Sequence, residues 1–198
     1  MMRLRLNERI LILCEGTTEY LYARSLQMEL PRSLQRAVSI EIFFQSQNDP
    51  KSLVSEARRR ERAAQSERNP YDTIWVFFDN DRWPQLSQAF ELIERYGYRA
   101  AYSSMCIEHW FILHFEQCGR AFANGEEAIR YLRNLWPAYH KTKVNAYHEL
   151  RERLNTALNN AVRINQNQDD TLPIHRRNPY FTVQELVDFF EQLKLKDI

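Results

Sequence analysis

Glycine and proline are scarce, four and seven among 198 residues, which excludes a collagen-like or linker-rich chain and argues against an all-β fold with many turns. Cysteine is scarce as well. Three of them, odd in number and widely spaced, make neither a disulfide framework nor a zinc knuckle and suit a reducing compartment. Charge of one sign is almost absent: 27 Lys and Arg stand against 26 Asp and Glu, a formal net +1, so no global field draws the chain to a polyanion and any such site must be local. No apolar run approaches the roughly 18 residues of a spanning helix, and the opening MMRLRLNER lacks the apolar stretch of a signal peptide. The expected location is the cytoplasm, without membrane association. Apolar residues, by contrast, are plentiful. At 44% hydrophobic and 13% aromatic the chain can bury a core, and intrinsic disorder is excluded.

Short continuous apolar runs punctuate the first half. Arg9 to Cys14 (RILILC), Val38 to Phe44 (VSIEIFF), Thr73 to Phe78 (TIWVFF) and Tyr98 to Ser103 (YRAAYS) read as strands, the first and third buried on both faces. Between them lie helical stretches. The first, Thr18 to Leu30, carries Tyr20, Leu21, Ala23, Leu26 and Leu30 at helical spacing before Pro31; the second runs from a cap at Asp49 or Ser52 to about Arg68; the third starts near Pro84 and stops at Gly97. This β-α-β-α-β-α-β alternation predicts an α/β fold, a parallel sheet flanked by helices. After residue 104 only helical patterns appear, at Cys106 to Phe115, Glu126 to Leu135, Ala146 to Val162 and Val183 to Leu195, with an exposed polar loop over Ile164 to Asn178. Residues 1–104 are thus expected to form the α/β core and 105–198 a mainly α-helical extension packed on it as one compact unit.

Ligands of open parallel sheets bind at the carboxyl ends of the strands, and acids stand there. Glu15 follows the first strand; Asp79 and Asp81 follow the third, and their spacing turns both to one side if the strand conformation persists. Three such carboxylates would repel one another, and a hard cation with oxygen ligands, Mg2+ or else Mn2+, would relieve that cost. Solvated or capping acids are the alternative. Glu19 shares a helix face with Glu15 but equally suits the first turn of a helix. Glu108 lies in an apolar helix and needs a partner, either a cation, a phosphate-binding Lys or a salt bridge. His109 and His114 are candidate proton carriers, and His114 a candidate substrate contact, against the commoner role of core histidines. Lys141 and Lys143, after Tyr139-His140, are candidate phosphate contacts. Arg58, Arg59, Arg60 and Arg62 are interleaved with Glu56 and Glu61 and read as a solvated, internally paired face.

Four segments together resemble the RloB-like family of phage-defence proteins, a branch of the Toprim-related fold. They are Leu11 to Glu19 (LILCEGTTE), Val76 to Trp83 (VFFDNDRW), Ser104 to Glu116 (SMCIEHWFILHFE) and Asn178 to Leu186 (NPYFTVQEL). The resemblance implies a Toprim-like core, Glu15 as acid/base residue, Asp79 and Asp81 as magnesium ligands, Glu19 as a further member of the cluster, and Glu108 as the acidic residue of the family helix. Two departures stand out: Ser104-Met105 replaces Asn-Pro before the cysteine, and His109 stands where leucine is usual. The resemblance also implies an SMC-like or AAA ATPase partner and a nuclease role in abortive infection, on RNA such as tRNA or on DNA; a homo-oligomer is compatible with it. The chain contains no G-x-x-x-x-G-K-[ST] phosphate loop.

The expectation is therefore a Mg2+-dependent nuclease with Asp79, Asp81 and Glu15 at the metal. A non-catalytic subunit that binds nucleic acid or nucleotide and regulates an ATPase is the alternative. A receiver domain phosphorylated on Asp79 lacks a fifth strand and its lysine, and a haloacid-dehalogenase-type phosphatase carries D-x-D after the first strand rather than the third.

Overall fold

A computed structural model describes residues 8–44, 49–80 and 82–195. Four strands, β1 (Glu8–Cys14), β2 (Val38–Phe44), β3 (Thr73–Asp79) and β4 (Arg99–Ser103), form one sheet in the order β2-β1-β3-β4, with every neighbour parallel. Helices α1 (Thr17–Met28) and α2 (Arg32–Ala37) lie between β1 and β2, α3 (Pro50–Ser66) between β2 and β3, and α4 (Leu86–Tyr96) between β3 and β4. The extension holds α5 (Ile107–Ile112), α6 (Gly125–Leu135), α7 (Ala146–Leu150), α8 (Leu154–Gln166) and α9 (Val183–Lys194). The α/β class and the helical C-terminal region expected from sequence are what the structure has.

Local chemistry sets the ends of these elements. Asp49 caps α3 by accepting the Ser52 amide at 2.9 Å, with Pro50 in the first turn. Gly97 ends α4 at φ 69°, a left-handed position that favours glycine. Two elements differ from the sequence pattern. The six-residue α2 was not expected, and its single buried side chain, Leu34, leaves no periodicity to read. The expected helix over Ala146 to Val162 is broken by a 3-10 turn at Arg151–Arg153, so that α7 packs on α1 while α8 packs on α5.

Side chains alternate between the two faces of the sheet. Leu11, Leu13, Ile74, Val76, Phe78 and Tyr102 meet α3 and α4, while Ile10, Ile12, Cys14, Trp75, Phe77 and Ala101 face α1 and the extension. Crossovers share one hand. The chain steps one way from β1 to β2 and the other way from β2 through β3 to β4, which puts α1 and α3/α4 on opposite faces. Beneath β3 and β4 the α1 face would therefore be bare, and α9 covers it: Phe189 packs on Trp75 at 5.6 Å between ring centroids. A buried aromatic of this size is worth on the order of 4 kcal/mol.

The return of the chain to the sheet edge depends on Thr182. Its hydroxyl donates to the Ala100 carbonyl at 2.8 Å and accepts the Tyr102 amide at 3.0 Å, while its own amide donates to the Tyr102 carbonyl at 2.7 Å. Phe181 bridges antiparallel to Ser103. Thr182→Val keeps the shape and removes the hydroxyl, leaving the Tyr102 amide unpaired; it is expected to cost about 1–3 kcal/mol in urea unfolding, and Thr182→Ser well under half of that.

Candidate functional site

Glu15 and Asp79 meet at the carboxyl ends of neighbouring strands. The Glu15 amide continues the ladder by donating to the Phe77 carbonyl at 2.8 Å, which turns its side chain toward the end of β3. One carboxylate oxygen, Oε2, accepts the Asp79 amide at 2.9 Å, and the other, Oε1, accepts the Trp83 indole Nε1–H at 2.8 Å. These two N–H donors fix the plane of the carboxylate. Asp81, the third expected acid, lies outside the described residues. Trp83 was not singled out from sequence; an indole two residues past the acids carries no periodic signal. The loop bearing it is anchored by the Arg82 guanidinium, which donates to the Ala123 carbonyl of the extension.

A second group of polar side chains is buried nearby. Glu108, 1% exposed in the first turn of α5, accepts the Tyr139 hydroxyl at 2.8 Å and pairs with Lys141 Nζ at 3.5 Å, both from the turn after α6. The partner its burial required is thus a lysine and a tyrosine of this chain. Burial pushes the Tyr139 hydroxyl well above its usual range, reinforced by the Glu108 charge. Burial by itself would lower the Lys141 ammonium, but Glu108, with Cys106 and Glu19, raises it overall. Glu19, buried in the first turn of α1, has its pKa pushed up to about 7, chiefly by burial and further by the Glu108 charge; its own backbone amide, Lys141 and the Gly16 amide oppose the rise. Gly16 makes room for it, since a Cβ there would stand 2.8 Å from Glu19 Oε2. The Cys106 thiol is raised by burial and then by the charges of Glu108 and Asp79, so the two acid groups act on a common neighbour. A neutral, buried thiol is not a nucleophile.

Other expected residues lie elsewhere or have other work. His114 is 1% exposed, with Nδ1 3.1 Å from the Trp110 carbonyl, and burial lowers its pKa to about 4. It is a neutral core histidine, not a substrate contact, because packing closes it off from solvent. His109 is likewise buried, with Nε2 3.0 Å from the Cys118 carbonyl and its ring between Phe122 and Phe181. Ser103 and Ser104 hydroxyls serve the backbone, Ser103 donating to Cys106 O at 2.7 Å and Ser104 accepting the Tyr180 amide at 2.8 Å. Lys141 is half exposed though paired; Lys143 is exposed and makes no ion pair among the described residues. The oxygen donors of Glu15 and Asp79 suit a hard divalent cation in kind. Among the described residues, no group of three or more His, Cys, Asp or Glu is arranged to hold a metal ion, and no helix is long and apolar enough to cross a membrane.

Comparison with known proteins adds a family. A family model described as RloB-like protein matches residues 10–190, spanning both acid groups and the segment at Thr182. No curated protein matches. Among solved structures, the crystal structure of a sigma-54 interaction domain protein from Enterococcus faecalis aligns at 10% identity over 67% of this chain and 91% of its own, with a TM-score of 0.28, too low to bear on fold or function.

The Glu19 shift has a measurable consequence. With a folded pKa above the unfolded one, the native state binds the extra proton between about pH 4.5 and pH 7, so Glu19 lowers stability as pH rises through that window. Glu19→Gln removes the penalty: relative to wild type it is expected to gain on the order of 3 kcal/mol between pH 4 and pH 8, read from urea midpoints. A constant difference across that range would contradict the buried, proton-holding carboxyl.

Proposed function

Because the chain belongs to the RloB-like family, we propose that it is a divalent-metal-dependent nuclease that hydrolyses phosphodiester bonds in RNA or DNA, in phage defence and alongside an SMC-like or AAA ATPase. The observation that carries the reading is the bridge from the Glu15 carboxylate to the Asp79 amide, which joins the first and third strands through an acid whose orientation is fixed. Asp79, Asp81 and Glu15 would hold Mg2+, with Mn2+ the close substitute. The ion, when bound, supplies charge stabilisation at the phosphoryl oxygens and acidifies a water.

The residues of the chain divide the remaining work. Glu15, clamped by the Asp79 amide and the Trp83 indole, orients the attacking water and takes its proton. Glu19, titrating near neutrality, carries the proton that the departing oxygen needs. Glu108 is the counter-charge that keeps Lys141 and Tyr139 in place, and Lys141, half exposed, presents its ammonium to a phosphate with Lys143 beside it in sequence.

Purified protein is expected to cleave labelled RNA or DNA with Mg2+ or Mn2+, with the ATPase partner supplied, and to stop on chelation. Glu15→Gln and Asp79→Asn should each lower the rate by about 100-fold or more with a native circular-dichroism spectrum at the assay temperature; Glu15→Gln is also expected to lose about 1–3 kcal/mol in urea unfolding, because the Gln amide nitrogen cannot accept one of the two N–H donors that the carboxylate takes. Undiminished cleavage in either variant overturns the assignment. Loss of no biological effect in the same variants, with no cleavage under any metal, would instead make the chain a non-catalytic binding subunit.

A further inference from the structure

Away from the acid crevice, a groove of about 340 Å³ runs between α3 and α4, lined by Ser55, Arg58, Arg59, Arg62, Leu92 and Tyr96. Part of the arginine run is internally paired as the interleaved glutamates suggest: Glu56 takes Arg59 at 2.6 Å and Arg60 at 2.7 Å, and Glu61 takes Arg58 and the Tyr98 hydroxyl. The pairing is incomplete. Two glutamates face four arginines, Arg62 makes no ion pair among the described residues, and the Nε of Arg58 is shielded from solvent without a hydrogen-bond partner. Arg59 is 68% exposed, and its guanidinium has donors beyond the two that reach Glu56.

The groove offers two surfaces to a ligand. The α3 side presents guanidinium forks, whose planar donors match phosphate oxygens. The α4 side is apolar and aromatic, with Leu92 one helical turn from Tyr96, over which Arg58 is stacked at 4.8 Å. An anion alone would need only the α3 side, and an apolar ligand only the α4 side. A nucleotide unit, with phosphate at one end and a flat base at the other, uses both, and the volume suits a ligand of that size.

We infer that the α3–α4 groove is a nucleic-acid-binding site, in which Arg59 and Arg62 hold backbone phosphate and Leu92 and Tyr96 receive the attached nucleoside of a single strand. The choice of a strand over a free nucleotide rests on the nuclease reading of the acid crevice, whereas the presence of a nucleotide site does not. Nothing in the groove overlaps Glu15, Asp79 or Glu108, so binding here and cleavage there are separable.

The test is fluorescence anisotropy of a short labelled single-stranded RNA with the full chain, in chelator so that cleavage plays no part. Arg59→Ala/Arg62→Ala is expected to weaken binding about tenfold or more, and to reduce the slope of log K against log salt by about 1.4, or about 0.7 for each of two lost phosphate contacts. Arg62→Ala, which breaks no ion pair, should give half that change. Arg130→Ala/Arg133→Ala, the same charge change on exposed α6 positions, should stay within about twofold of wild type. An unchanged salt slope in the α3 variants, or equal losses in both double variants, overturns the site. Displacement of the RNA by AMP at matched phosphate concentration overturns the strand and leaves a mononucleotide site. The assay contains chelator and reads binding alone, so a failed nuclease reading would leave this result standing.

Discussion

The step from β2, at one edge of the sheet, to β3 on the far side of β1 constrains everything built above it. Chains that reverse direction across a parallel sheet leave their loops diverging to opposite faces, and a crevice opens between the two central strands at their carboxyl ends. Here that crevice is bridged by a single carboxylate, Glu15, which accepts an amide from one wall and an indole N–H from the loop beyond it. Those two donors fix the plane and position of the carboxylate. The Trp83 loop is tied in turn to the extension through Arg82, so the orientation of one acid depends on contacts made by both halves of the chain.

The extension does more than cover the face that α1 leaves bare. Helix α5 brings Glu108 to the same end of the molecule, and the turn after α6 brings Tyr139 and Lys141 to meet it. An unpaired carboxylate at 1% exposure would cost several kcal/mol, so these two partners offset a burial cost whatever they do in chemistry. Having spent Lys141 on Glu108, the chain leaves Glu19 short of a cation, and its burial resolves as a raised pKa rather than a second salt bridge. Glu15 and Glu19, four residues apart in one segment, thus acquire different surroundings: Glu15 accepts two N–H donors, while burial raises the pKa of Glu19 to about 7.

Much of this was legible in the residues. Runs such as RILILC and TIWVFF have the length and continuity of strands buried on both faces, and the acids that end them had to fall at the carboxyl edge once the sheet was parallel. Asp49-Pro50 and Gly97 mark helix ends by their own backbone chemistry. What stayed hidden depended on partners distant in sequence. Tyr139 lies 31 residues from the Glu108 it serves, and Trp83 lies 68 from Glu15. His114 has the composition of a proton carrier, and only its packing reveals a core residue. Arg58 to Arg62 read as a paired face, which is right for Glu56 and Glu61; that one arginine is left over on a groove formed with another helix could not be seen along a single helix.

Geometry also limits what kind of ligand could use both sites. Helix α3 begins at Pro50, after the carboxyl end of β2, and Arg62 stands twelve residues on, about 18 Å down the helix axis. That exceeds the Debye length of about 8 Å at physiological salt, so the arginines do little to offset the charges of the acid crevice through solvent. On the proposed reading each region has to meet its own electrostatic demand: phosphates on the α3–α4 groove would be met by guanidinium, and phosphates at the crevice by a cation or by Lys141. A mononucleotide is too short to touch both. On the proposed nuclease reading, a ligand that does so would be a polymer several nucleotides long, held by its backbone at one place and presented for hydrolysis at the other, which would let a chain of net charge +1 engage a polyanion without a basic surface overall.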